Sequence, residues 1–110
     1  MVKVNRKELW AVKKYLGWST PYTEMDIADC TEDECSSIFD FNRKLGRYLS
    51  GKTAELKVTK KEAEAVDKYL AYSSTATQTK IGNCDIEECD RIYRFYQKLS
   101  KYLDTQLKIN

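Results

Sequence analysis

Sliding the chain along itself by 54 positions, without a gap, aligns Lys3–Ser50 with Lys57–Asp104 and makes 21 of the 48 facing pairs identical. Unrelated segments of ordinary composition would share roughly three. Any fold for this sequence therefore has to accommodate the same unit twice. The identities include Glu8/Glu62, Lys14/Lys68, Tyr15/Tyr69, Ser19/Ser73, Cys30/Cys84, Glu34/Glu88, Cys35/Cys89, Phe41/Phe95 and Lys44/Lys98, an internal record of what the unit needs. The halves also share the charge evenly, nine basic and eight acidic residues to position 54, ten and nine after it. Neither half is a charged tail.

Each unit reads as two helices around a polar loop of about a dozen residues. In Val4-Asn5-Arg6-Lys7-Glu8-Leu9, Asn5 is a good N-cap, Glu8 completes a capping box, and Val4 with Leu9 forms a hydrophobic staple; Val58-Thr59-Lys60-Lys61-Glu62-Ala63 repeats the arrangement. Leu9, Val12, Tyr15 and Leu16 follow at helical spacing, as do Ala63, Val66, Tyr69 and Leu70. The stretches Trp18-Ser19-Thr20-Pro21 and Tyr72-Ser73-Ser74-Thr75 end these helices.

The second helices start at Thr31-Glu32-Asp33-Glu34 and Asp85-Ile86-Glu87-Glu88, with acids where the helix dipole favours them. Their buried stripes are Ile38, Phe41, Leu45, Tyr48 and Leu49, then Ile92, Phe95, Leu99, Tyr102 and Leu103. A unit of about 50 residues buries only a thin core, whereas two units together bury all four stripes. The sequence thus predicts an all-α fold: a tandem duplication of a helix-loop-helix unit forming a four-helix bundle with pseudo-twofold symmetry. Residues 1–110 make one domain, from repeats 3–50 and 57–104 joined by the linker 51–56.

Composition narrows the function classes. The net charge is only +2, too small to make nucleic acid the default partner. The longest apolar runs fall far short of the roughly 20 residues of a membrane span, so no membrane association is expected. The first residues lack the apolar stretch of a secretory signal, which points to the cytoplasm. The sequence holds no His, so Ser-His, Cys-His and His-ligated metal mechanisms are excluded. Its four glycines stand at 17, 46, 51 and 82 and form no phosphate-binding loop. No cofactor or metal is implied, and no catalytic group assembles.

Cys30 and Cys35 occupy the N′ and N4 staple positions around the Thr31 cap, and Cys84 and Cys89 do so around Asp85. They read as reduced apolar staples or as a local disulfide in each unit, which would contribute about 2 kcal/mol in the chain-entropy model. A four-thiolate metal site departs from the usual ligand spacing, and Glu34 and Glu88 oppose thiolate redox chemistry. Glu24, Asp26, Asp29, Glu32, Asp33 and Glu34 lack the calcium-loop pattern and read as a solvated helix end.

Differences between the copies point to function. Trp10 lies about 160° from Val12 on a helical wheel, on the outer face, and its counterpart is Glu64. With Lys13 and Lys14 beside it, and Trp18, Tyr22 and Met25 following, it forms a candidate partner-binding surface or a cover for the open end of the bundle. Arg91, Arg94, Lys98 and Lys101 fall within an arc of about 80°, a basic stripe interleaved by Tyr93 and Tyr96. The leading expectation is a non-enzymatic interaction module that inhibits or regulates a larger, unidentified protein, by analogy with small helical products of viruses and mobile elements. A second copy of the chain could take the same surface and make a homodimer. The alternative is nucleic-acid binding through the stripe.

Overall fold

Asn5, Thr31 and Thr59 take extended backbone and accept a hydrogen bond from the N–H three residues on, starting helices at the positions that the capping motifs predict. Asp85 does the same for the Glu88 N–H at 2.8 Å. The computed structural model describes residues 4–109, with side chains to Thr105, and these form six helices. They are α1 (Arg6–Trp18), α2 (Pro21–Ala28), α3 (Glu32–Leu49), α4 (Lys60–Tyr72), α5 (Thr75–Gly82) and α6 (Ile86–Ile109). No strand occurs among the described residues.

Two of the six, α2 and α5, stand where the sequence reading places loops. The Thr20-Pro21 pair that closes α1 also opens α2: Thr20 caps Thr23, Thr23 returns a bond to the Thr20 N–H, and Pro21 sits at the first helical position, where its missing N–H costs nothing. Ser74 caps α5 through Thr77. Both short helices stop at a left-handed residue, Asp29 (φ 54°) and Asn83 (φ 53°), types that tolerate that conformation. Eight residues do not hold a helix alone, so docking supplies the stability. Helix α2 rests on α4 and α3, while α5 rests on α1 and α6. A Cβ at Gly82 would come 3.2 Å from the Tyr15 Cα, which shows how closely α5 presses on α1.

The long helices pack in a ring, α1 on α6 and α3, and α4 on α3 and α6. Every one of them therefore touches residues from both halves of the sequence. The radius of gyration is 13.0 Å, the value a compact chain of this length has at about 13 Å. At the centre Tyr15 and Tyr69 are fully buried and stacked in parallel, their centroids 5.4 Å apart. The Tyr15 hydroxyl donates to Ser73 Oγ at 2.8 Å, and Ser73 Oγ donates on to the Tyr69 carbonyl at 2.7 Å. Ser19 completes the mirror path, bonded to the Tyr69 hydroxyl and donating to the Tyr15 carbonyl, each at 2.8 Å. All the polar atoms of this buried cluster thus find partners.

Four lysine–glutamate pairs tie the long helices together. Lys98 Nζ reaches Glu8, Lys44 reaches Glu62, Lys68 reaches Glu34 and Lys14 reaches Glu88, each at 2.9 Å. Each glutamate is the third residue of its helix and holds a lysine from another helix; Glu34, Glu62 and Glu88 also accept the N–H of their own cap residue, whereas Glu8 accepts from the Asn5 side-chain amide and leaves the expected capping box of α1 half made. Glu34 titrates below the usual carboxylate range because the Thr31 N–H and then Lys68 bond to its charged form. For Glu88 the Lys14 ammonium is the larger cause and the Asp85 N–H the next. Lys14 and Lys68 are raised in return, mainly by these glutamates.

Candidate functional site

Helix α1 turns Leu9, Val12 and Leu16 into the core, which leaves Trp10 on the outer side, 49% exposed. Its indole is propped by Lys13, whose Nζ lies 5.9 Å from the ring centroid. The lysine stem reaches that position by lying across α3 at Gly46, where an added Cβ would come 3.3 Å from Lys13 Cε. The α1–α2 corner then presents Trp18 (66% exposed), Tyr22 (77%) and Met25 (40%) to solvent. Two tryptophans and a tyrosine this open on a chain of 110 residues stand apart from the scattered apolar atoms of an ordinary surface.

The structure assigns other work to several of the sequence-selected residues. Lys14 is held by Glu88 and by the Asn83 carbonyl, so it belongs to the inter-helix ties rather than standing beside Trp10 as a free cation. In the α6 stripe, Lys98 is bound to the buried Glu8, Arg91 contacts Glu87 at 3.4 Å and Arg94 contacts Asp90 at 3.1 Å. Lys101 is the one member without a carboxylate within 4.0 Å among the described residues.

Cys30, Cys35, Cys84 and Cys89 are free thiols, all buried at the starts of α3 and α6, and no disulfide joins them. Burial, with Glu34 next in weight, pushes the Cys30 thiol up to about 11, and burial with Glu88 does the same for Cys84. Burial and a hydrogen bond with Glu24 raise Cys35 to about 12. Among the described residues no cluster of three or more His, Cys, Asp or Glu side chains could hold a metal ion. Glu24, read from sequence as one of six solvated acids, is 4% exposed because α2 turns it inward beside Cys35. Burial raises its titration, against the hydrogen bond with Cys35 that lowers it. The equivalent residue in the second half is the neutral Gln78, also buried, which donates to the Ser73 carbonyl at 3.4 Å.

Further apolar residues are exposed, of which the sequence reading singles out only Tyr93, as part of the α6 stripe. Phe39 and Tyr93 stand at equivalent positions on α3 and α6, about 100° round the helix from the buried Ile38 and Ile92. An aromatic one step off the core stripe in both halves is the signal that could have found them. Tyr72 and Ile86 are also exposed. Ile86 and Tyr93 border an open depression of about 310 Å³ between α4, α5 and α6, with Cys89 and Gln78 in its wall. No helix among the described residues is long and apolar enough to cross a membrane.

Comparison with protein-family models, with curated proteins and with solved structures yields no match. The functional reading therefore rests on the residues themselves.

Proposed function

We propose that this chain is a non-enzymatic protein-binding module, an inhibitor or regulator of a larger protein, whose contact surface is built on Trp10, Trp18, Tyr22 and Met25. The observation that carries this reading is the exposure of both tryptophans, one with the Lys13 ammonium over its ring, in a molecule whose buried core does not include them. Trp and Tyr are the residue types that dominate binding energy when a partner buries them. Their counterparts in the second half are Glu64, Tyr72, Ala76 and Thr79, so the surface is concentrated in the first.

We read the scaffold as a duplicated unit with pseudo-twofold symmetry and a four-helix framework of α1, α3, α4 and α6. In support, α1 and α4 occupy positions 54 apart, as do α2 and α5, and as do the starts of α3 and α6. The tyrosine–serine circuit and the lysine–glutamate ties recur at the same offset. Nucleic-acid binding through α6 draws less support, because three of the four cations of that stripe already have carboxylate partners.

The test is affinity capture of the tagged chain from a cell lysate, with and without nuclease, read by mass spectrometry and by absorbance at 260 nm. A stoichiometric protein that survives nuclease is expected. Nucleic acid that nuclease removes together with the captured proteins would transfer the function to α6.

A further inference from the structure

The carboxyl-terminal half of α3 and the linker that follows it border an open surface depression of about 560 Å³. Arg43, Lys44, Arg47 and Lys57 line it, with Thr53 beside them and Glu55 as the only acid. The lining side chains carry four cations and one anion, and Glu62 and Asp40, just outside the lining, face two of those cations. Only Lys44 has a firm partner, Glu62 at 2.9 Å. Arg43 stands 3.8 Å from Asp40 and Lys57 stands 4.0 Å from Glu55, and both pairs are largely exposed. Arg47 has no carboxylate within 4.0 Å among the described residues.

Architecture accounts for Lys44, tied to Glu62, and for Arg47 at the helix end, but not for Arg43. The helix dipole favours Arg47 in the last turn of α3, but Arg43 lies a turn further in and Lys57 lies outside the helix. Arg43 and Arg47, four residues apart on one helix face, repel each other unless an anion lies between them. The inter-helix tie of Lys44 is shared with Lys98, whereas Arg43 faces Gln97 in the second half, so the guanidinium serves no requirement of the repeated unit.

We infer that this pocket binds a polyphosphate group through Arg43, Arg47 and Lys57. Two planar guanidinium forks match the oxygens of phosphate bidentately, and the ammonium adds a point charge for the next phosphoryl group. The volume lies within the range of small-ligand sites. Among the described residues no aromatic side chain lines the pocket to stack a base, so the phosphates, and not a nucleoside, are what it reads. Inorganic polyphosphate and the triphosphate of a nucleotide share that chemistry.

Titration calorimetry of the full chain with tripolyphosphate tests the inference, with ATP and citrate as separate arms. Saturable binding that weakens as salt rises is expected, with ATP no tighter than tripolyphosphate and citrate at least tenfold weaker. Arg43→Gln with Arg47→Gln should weaken tripolyphosphate binding at least tenfold with an unchanged melting temperature. Arg94→Gln with Lys101→Gln, which removes the same charge from α6, should weaken it less than threefold. Absence of saturable tripolyphosphate binding, equal binding of citrate, or equal loss in the two double variants would overturn the assignment. Tighter binding of ATP would overturn the claim that the base is not read.

Discussion

Glu24 shows how one residue can be placed against its own chemistry. It is 4% exposed, and burial raises its titration above the ordinary carboxylate range, so the folded chain holds the proton more tightly than the unfolded chain does. The sign follows from linkage: stability falls as pH rises from the unfolded value through the folded one, and the penalty persists at neutral pH. Glu24→Gln, which installs the residue that the second half already carries at Gln78, should raise stability by about 1 kcal/mol at pH 7. Denaturant titrations at several pH values should show this gain shrinking as the solution is acidified and the wild-type carboxyl becomes neutral. A gain independent of pH would locate the effect in packing instead. The burial is illegible in the sequence, because Glu24 stands among five other acids and only a helix across 21–28 turns it inward.

At the scale of elements, the ties between helices do two jobs with one carboxylate. Glu8 is 3% exposed, bonded by Asn5 at its own helix start and by Lys98 from α6. Lys98→Met would leave that carboxylate buried without its cation and should cost about 2–3 kcal/mol, between the values of exposed and fully buried pairs. Arg94→Gln, which breaks an exposed pair with Asp90 on the same helix, should cost under about 0.5 kcal/mol. Urea unfolding of the two variants measures the difference, and equal losses would remove the distinction. Helix starts are legible because caps are local: Asn5, Thr31, Thr59 and Asp85 each declare themselves with a glutamate three residues on. Helices α2 and α5 are not, because each has only eight residues and gains its stability by docking on a helix from the other half, α4 or α1. The ties are legible too, since all four lysines and all four glutamates are identical at the 54-residue offset.

For the molecule as a whole, the largest interior side chains and the ties between helices are shared by the two halves, while the exposed tryptophans stand in the first half alone. Tyr15 with Tyr69, Phe41 with Phe95 and the lysine–glutamate ties fill and fasten the interior. Trp10, Trp18 and Tyr22, facing Glu64, Tyr72 and Ala76 in the alignment, stand in solvent. On the proposed function, folding and recognition use these two disjoint sets of residues. Trp10→Ser, Trp18→Ser and Tyr22→Ser combined in one chain test it most directly, with thermal unfolding and lysate capture measured on the same preparation. Stability within about 1 kcal/mol of the unaltered chain, together with loss of the captured protein, is the predicted result. A stability loss of several kcal/mol, or the same protein captured at the same yield, would contradict it.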